Sequence, residues 1–261
     1  KRGFGLSPQG NVIPLNPESA YALALGLSDE LKFRVNKKSY QETIFEAVGL
    51  PYHGQEYILP IPQEHLTYGR QVMARSGASP EDVVVGLCVG AGTRFANKAW
   101  KEDGFVAVAE ALAAEPRTRV VLLGGKLEER RLRSICDRLG VLVFDPGWDH
   151  SLGQFAGIVN CCDVVVSGDT LCMHVAIGLR RLVLAIFGPT CPQEVELYGR
   201  GAKIISPVPC APCYRRECHK EFTCMTAISP EMVLEGLLPL LDRARQERTA
   251  AAPTIAPTIG R

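Results

Sequence analysis

The sequence predicts an α/β protein built on a doubly wound parallel sheet. Three observations lead there. From about residue 82, short β-branched runs alternate with helical patterns. Each run is apolar throughout rather than alternately polar, as in strands covered on both faces. Most of the runs stop at glycine or at a small polar step, which is where such a sheet turns the chain into its next helix.

The elements follow in order. "DVVVGLCVG" (82–90) reads as a strand, "AGTRFANKAW" (91–100) as a polar loop and "EDGFVAVAEALAA" (102–114) as a helix. "RVVLLGG" (119–125) is a strand, and "KLEERRLRSICDRLG" (126–140) is an amphipathic helix closed by glycine. The strands "VLVFDPG", "DVVVSGD" and "LVLAIFGP" then enclose the helices "SLGQFAGIVNC" and "TLCMHVAIGLRR". "SPEMVLEGLLPLLDRARQER" is a closing helix, with Ser229 as N-cap and Pro230 at its first position.

The first 75 residues lack this rhythm. "SYQETIFEAVGL" begins a helix with a capping box, Ser39 to Glu42. "EYILPIP" reads as a short strand and "QEHLTYGRQVMARSG" as a helix. The expected organisation is a remnant of a separate α/β domain with its connector over 1–75. A Rossmann-like domain covers 76–246, with a cysteine-rich loop at 209–225, and a low-complexity tail, expected to be disordered, covers 247–261. The chain begins "KRGFG" without methionine, so the expectation is that the native N-terminus lies upstream.

Hydrophobic residues make up 46% and charged residues 22%, and the net charge is +1. That balance gives no general argument for nucleic acid, and no run approaches the roughly 18 apolar residues of a membrane span. Five of the ten cysteines (Cys88, Cys136, Cys161, Cys162, Cys172) sit in apolar or helical stretches and read as core residues of a reducing compartment; Cys191 stands alone in a turn. Cys210, Cys213, Cys218 and Cys224 crowd one polar loop with His219. The opening C-x2-C has metal-ligand spacing, and a structural zinc, one or two disulfides and free thiols all remain open there. The neighbouring Arg215, Arg216, His219 and Lys220 read either as solvated charge or as a face for an anionic acceptor.

In an open parallel sheet, ligands bind beyond the carboxyl ends of the strands. The residues there are Gly90, Gly92 and Thr93 with Lys98, then Gly124 and Gly125 with Lys126, then Gly168, Asp169 and Thr170, and finally Gly188, Pro189 and Thr190. Glycines let backbone amides approach an anion, helix N-termini favour negative charge, and hydroxyls and lysine add donors. This suits a phosphate or diphosphate. Neither a dinucleotide fingerprint nor a P-loop is present, because Phe95 occupies the third glycine position of "GAGTRF" and no G-x-x-x-x-G-K-[ST] occurs. There is also no Asp-x-Asp to carry a metal on the diphosphate. The plainer alternatives are an N-cap at Asp169-Thr170, a hydrogen-bonded core histidine at His174, and a solvated helix face at Glu128 and Glu129.

"GAGTRFANKAW", "VVLLGG" with Glu128 and Glu129, "SGDTLCMHVAIGL" and "FGPT", in this order, resemble the C-terminal half of the ADP-heptose:lipopolysaccharide heptosyltransferases, family nine of the GT-B glycosyltransferases. The resemblance runs over about 82–235. It implies a GT-B fold and an inverting, metal-free transfer of heptose from ADP-heptose to a lipopolysaccharide inner-core acceptor, in the cytoplasm at the inner-membrane face. It implies that Thr93 and Lys98 hold the donor phosphates and that Asp169 contacts the donor sugar, with Lys98 and Asp169 as the catalytic pair. Thr170 and the following amides cap the diphosphate, Met173 and His174 line the same pocket, and Glu128 or Glu129 approaches the ribose. Leu171 stands where the family has glycine, which alters the pocket's shape. The family's general base, an aspartate in an early glycine-aspartate segment, has no counterpart in this sequence. Two other readings stay open: a UDP- or GDP-sugar transferase or epimerase on the same fold, and a metal-stapled binding module without catalysis.

Overall fold

The computed structural model describes residues 1–92 and 96–251. The chain opens with an antiparallel hairpin, β1 (Phe4–Leu6) and β2 (Val12–Pro14), followed by α1 (Pro17–Leu25) and α2 (Tyr40–Val48). Three-residue strands with mostly exposed side chains carry no period-2 signal, so the hairpin is silent in the sequence. At α2 the expected cap is present: Ser39 Oγ accepts the Glu42 N–H at 3.2 Å, and Gly49 closes the helix in the left-handed conformation, φ 73°.

Residues 56–62, read as a strand from sequence, pair with no strand among the described residues. Pro60 and Pro62 lack the N–H that a ladder needs. The stretch is instead a strap held by side chains. Glu56 accepts from Arg200 at 3.0 and 2.9 Å and pairs with Arg180 at 2.9 Å, while Gln55 O accepts from the Tyr198 hydroxyl at 3.1 Å. Further upstream, Phe33 stacks on Tyr214 with centroids 5.6 Å apart, and Arg34 Nη2 donates to Pro209 O at 3.1 Å.

After α3 (Gln63–Met73) the expected alternation appears: β3 (Val83–Cys88), α4 (Glu102–Ala113), β4 (Thr118–Leu123), α5 (Glu129–Leu139), β5 (Val143–Phe144), α6 (Leu152–Val159), β6 (Val164–Gly168), α7 (Leu171–Gly178), β7 (Leu182–Phe187), β8 (Gly201–Ile205) and α8 (Pro230–Ala251). The six strands β3 to β8 form one parallel sheet in the order β5-β4-β3-β6-β7-β8. Successive side chains go to opposite faces. Val83, Val85, Leu87, Leu122 and Val166 join the core under α4, α5 and α8, whereas Val84, Val121, Leu123, Val165 and Val183 join the core under α3, α6 and α7. Burial on both faces is why the strands read as unbroken apolar runs. The edge strand β8, "GAKII", is only half-buried and short of aliphatics, so the sequence does not announce it.

Two boundaries shift. The helix α3 falls inside the expected N-terminal remnant, yet it packs on α6 and completes that face of the sheet. Helix α8 continues to Ala251, beyond the expected end of the domain at 246. It is fixed there by Arg248, which pairs with Asp163 at 2.7 Å and donates to Pro80 O. Residues 252–261 of the expected tail lie outside the described residues.

The α3–α6 contact depends on two glycines. A Cβ on Gly157 would lie 2.0 Å from His65 O, and one on Gly69 would lie 2.0 Å from Gly157 O. Backbone cannot yield as a side-chain tip can, so Gly157→Ala has to separate the helices. We expect a loss of about 1–3 kcal/mol, typical of overpacking, in urea unfolding; unchanged stability would show that the helices do not approach so closely.

Candidate functional site

The helices after β3 and β6 leave on opposite faces of the sheet, α4 to one and α7 to the other, and these two strands are neighbours. Their carboxyl ends therefore open a crevice between diverging chains, where doubly wound sheets bind ligands. A cavity of about 470 Å³ lies there. Its lining includes Gly90, Gly92, Lys98, Gly124, Gly125, Glu128, Thr170 and Leu171.

The glycine ends are not equivalent. The Gly125 N–H is already engaged by Glu128 Oε2 at 3.1 Å, and the Glu128 carboxyl lies against Gly90, whose added Cβ would meet it at 3.2 Å. A carboxylate on that wall repels phosphate and accepts from hydroxyls. The opposite wall is formed by Lys98 and the start of α7. Thr170 is the N-cap residue of α7, but its side chain makes no cap bond; its hydroxyl meets Ser167 Oγ at 3.0 Å. The simple N-cap explanation of Asp169-Thr170 therefore fails, and the first turn of α7 presents its amides beside the cavity.

Asp169 organises the charge on this side. Lys98 Nζ donates to its backbone carbonyl at 2.6 Å and stands 3.6 Å from Oδ2, and His174 Nε2 stands 3.7 Å from Oδ1. Burial alone raises the carboxyl's pKa. The His174 hydrogen bond, the Lys98 charge and Thr190 outweigh it, and the net value falls below the ordinary carboxylate range. Asp169 is therefore ionised at neutral pH.

Four expected site residues sit outside the cavity lining, Asp169 among them: it lies behind Lys98, which itself lines the wall. Met173 is fully buried in the sheet core, because one helical step from Cys172 turns it inward. Glu129 is outside the cavity lining and pairs with Arg133 one turn on, so only the Glu128 half of the expected pair reaches the cavity. The half-exposed His174 lies beside Asp169 and Tyr57 rather than lining the cavity. Thr93 lies outside the described residues.

The sequence reading missed one wall. Trp148, His150, Leu152 and Phe155 line the cavity from the loop after β5 and from α6. The signal for it in the sequence is "GWDHS" (147–151), which places an indole and an imidazole shortly after a strand end. Exposed Leu127, Leu152 and Leu171 edge the same cavity and make this part of it apolar.

The cysteine loop does not form a cage. Cys210 and Cys218 are exposed, Cys213 is half-buried and Cys224 is buried; all four are free thiols. Among the described residues no three His, Cys, Asp or Glu side chains converge as a metal requires.

An open parallel sheet with glycine-lined strand ends around a crevice at its switch point defines a doubly wound α/β protein with its ligand crevice at the carboxyl ends of the strands. Comparison with known proteins makes this specific. The family model of glycosyltransferase family 9 (heptosyltransferase) matches residues 28–224, and the chain belongs to that family. It is 26% identical over 243 residues to lipooligosaccharide heptosyltransferase 2 of Haemophilus influenzae, covering 86% of this chain and 68% of that protein. Two solved structures share the fold. A glycosyl transferase family 9 protein of Veillonella parvula has TM-score 0.66 and 18% identity, covering 81% of this chain and 62% of that one. ADP-heptose lps heptosyltransferase II of E. coli has TM-score 0.62 and 22% identity, covering 83% and 64%. The fold is therefore of GT-B type, and the chain spans about two thirds of the length of these relatives.

Two outcomes follow from the charges. A depressed carboxyl pKa contributes stability that is complete above the unfolded value of about 3.9 and lost as pH falls through the folded value. Asp169→Asn should therefore show a shallower loss of stability on acidification than the parent; parallel acid limbs would place the carboxyl in solvent. Burial, with the neighbouring loop thiols adding to it, pushes the Cys224 thiol up to about 11. Iodoacetamide at neutral pH should accordingly label Cys210 and Cys218 well before Cys224 in peptide mass mapping; the reverse order would contradict the loop's fold.

Proposed function

We propose that this chain supplies the donor-binding part of an inverting glycosyltransferase. It would move heptose from ADP-heptose to a lipopolysaccharide inner-core acceptor, without a metal, on the cytoplasmic face of the inner membrane. The observation that carries the reading is the cavity at the switch point, with an apolar aromatic wall at one side and Lys98 beside an uncapped helix start at the other. A nucleoside diphosphate has the same polarity: a flat base, a hydroxylated ribose and a doubly charged end. The base packs on Trp148 and Phe155, Glu128 accepts from the ribose hydroxyls, and the diphosphate meets the amides of α7 and Lys98.

The chemistry assigned to the residues follows from charge. As the anomeric bond breaks, negative charge grows on the leaving diphosphate. Lys98, already held beside the cavity by Asp169, lies where that charge develops, so its attraction strengthens in the transition state. Asp169 has two roles, fixing Lys98 and facing the donor sugar. With lysine and helix amides meeting the diphosphate, the charge is balanced without a divalent cation. No residue of this chain is assigned as the acceptor's general base. The acceptor is carried by a membrane, and no helix among the described residues is long and apolar enough to cross one.

Calorimetric titration tests this. ADP should bind in preference to UDP, GDP and NAD, and Lys98→Ala should weaken ADP by about 1.5–3 kcal/mol, the range for hydrogen bonds to charged groups. Preference for UDP or GDP would move the assignment to another nucleotide-sugar enzyme of this fold. Unchanged ADP affinity in Lys98→Ala would remove Lys98 from the site.

A further inference from the structure

Behind Asp169 runs a file of polar side chains that the donor reading does not use. Gln41, on α2 in the N-terminal part, donates from Nε2 to the Tyr57 hydroxyl oxygen at 2.7 Å. The Tyr57 oxygen stands 3.3 Å from His174 Nδ1, and the two rings lie 6.0 Å apart. His174 Nε2 faces Asp169 Oδ1, whose carboxylate also faces Lys98. Tyr57 is fixed from the side by Tyr198, edge to face at 5.9 Å, and its neighbour Glu56 is clamped by Arg200 and Arg180. Four elements that are distant in sequence thus meet in one line ending at the cavity.

Hydrogen-bond counting gives this line a direction. An amide nitrogen only donates, so at the first link Tyr57 accepts. Tyr57 has a single hydroxyl proton, and with its oxygen accepting, that proton points to His174 Nδ1. A nitrogen that accepts is bare, so the imidazole carries its proton on Nε2, facing an acceptor-only carboxylate. The Tyr57 link is within hydrogen-bond reach at 3.3 Å, and the 3.7 Å between His174 Nε2 and Asp169 Oδ1 is an electrostatic contact rather than a hydrogen bond.

We infer that Gln41 and Tyr57 are positioning residues that hold His174 in the Nε2–H tautomer and thereby orient the Asp169 carboxylate, which lies behind Lys98 at the cavity wall. Orientation of a charged site by its outer partners is the same logic that fixes metal-binding and catalytic histidines. The line crosses from the N-terminal part into the sheet domain, so the state of the acid beside the donor depends on how those two parts meet. The significance for transfer rests on the donor reading of Asp169; the tautomer does not.

The test is a long-range 1H–15N spectrum of the full chain, labelled at histidine, at about pH 8, where an ordinary imidazole is neutral. The His174 signals are assigned by loss in His174→Gln. The parent should show His174 with Nδ1 as a bare acceptor and Nε2 as N–H. Tyr57→Phe keeps the ring and removes the hydroxyl, so the two nitrogens should move toward averaged shifts. Gln41→Glu is the sharper variant. A carboxylate there takes the Tyr57 proton, leaves the tyrosine oxygen to accept, and should move the imidazole proton to Nδ1. A Nδ1–H tautomer in the parent, or His174 signals indifferent to both variants, would overturn the relay. Far-ultraviolet circular dichroism confirms that each variant is folded. ADP titration of the parent separates the two proposals: loss of ADP binding with the tautomer intact sinks the donor reading alone.

Discussion

Coverage of the parallel sheet on both faces governs the rest of the structure. A sheet flanked by α4, α5 and α8 on one side and by α3, α6 and α7 on the other has no lateral surface for polar chemistry. Its outlets are the strand ends, and among them the carboxyl ends of β3 and β6, where the chain diverges, leave room for a ligand. Asp169, Thr170 and His174 sit in a polar step between two apolar runs because one strand must end and a helix must begin there. The same constraint puts Gly90 and Gly124 opposite them. Chemistry is concentrated where the backbone runs out of partners.

Within the crevice, charges of opposite sign are separated by the sheet itself. Glu128 engages the amide of Gly125 on the β4 side, and Lys98 lies against Asp169 on the β6 side. The cavity is therefore polarised across its width before any ligand arrives, and a molecule with hydroxyls at one end and phosphates at the other enters in one orientation. Lys98 is not an isolated cation awaiting a phosphate. Its charge is shared with Asp169 at 3.6 Å, which lowers the cost of holding it at the positive end of α7.

The sheet was legible because burial on two faces writes long apolar runs, and because glycine and polar stops mark their ends. Four of the six strands of the sheet carry that signature, and a fifth, β5, is only two residues long, with Val141 and Leu142 of its apolar run exposed. The sixth, β8, is half-buried with Lys203 at its centre, and the hairpin β1–β2 is three residues deep on each side, too little for a period to show. At the site, Glu128 was indicated only by the family resemblance, whereas Gly124, Lys98 and Thr170 were legible from position alone, since strand ends are predictable. Met173 was not, because facing is set by a 100° step around a helix whose every side chain is apolar or ambiguous. The aromatic wall of Trp148 and Phe155 is assembled from a loop and a helix that adjoin the cavity only after the sheet has formed. The four loop cysteines were legible as a cluster from their spacing but not in their exposure: Cys224 is buried while Cys210 and Cys218 face solvent.

The strap over residues 55–62 and the glycine contact between α3 and α6 together determine where this molecule can bend. Everything from Glu56 onward is tied to the sheet domain, by Arg180 and Arg200 first and by Gly69 against Gly157 after. A rotation of the first fifty residues must therefore be absorbed upstream of Glu56, in the stretch "PYHGQ", where Gly54 has φ 75° and open space around its α-carbon. Such a pivot would slide Phe33 off Tyr214, release Arg34 from Pro209 and part Gln41 from Tyr57. A hinge there would make the Gln41–Tyr57 link, and the histidine tautomer that depends on it, the part of the site that answers to the N-terminal segment, while the contact of Lys98 with the Asp169 carbonyl stays with the sheet.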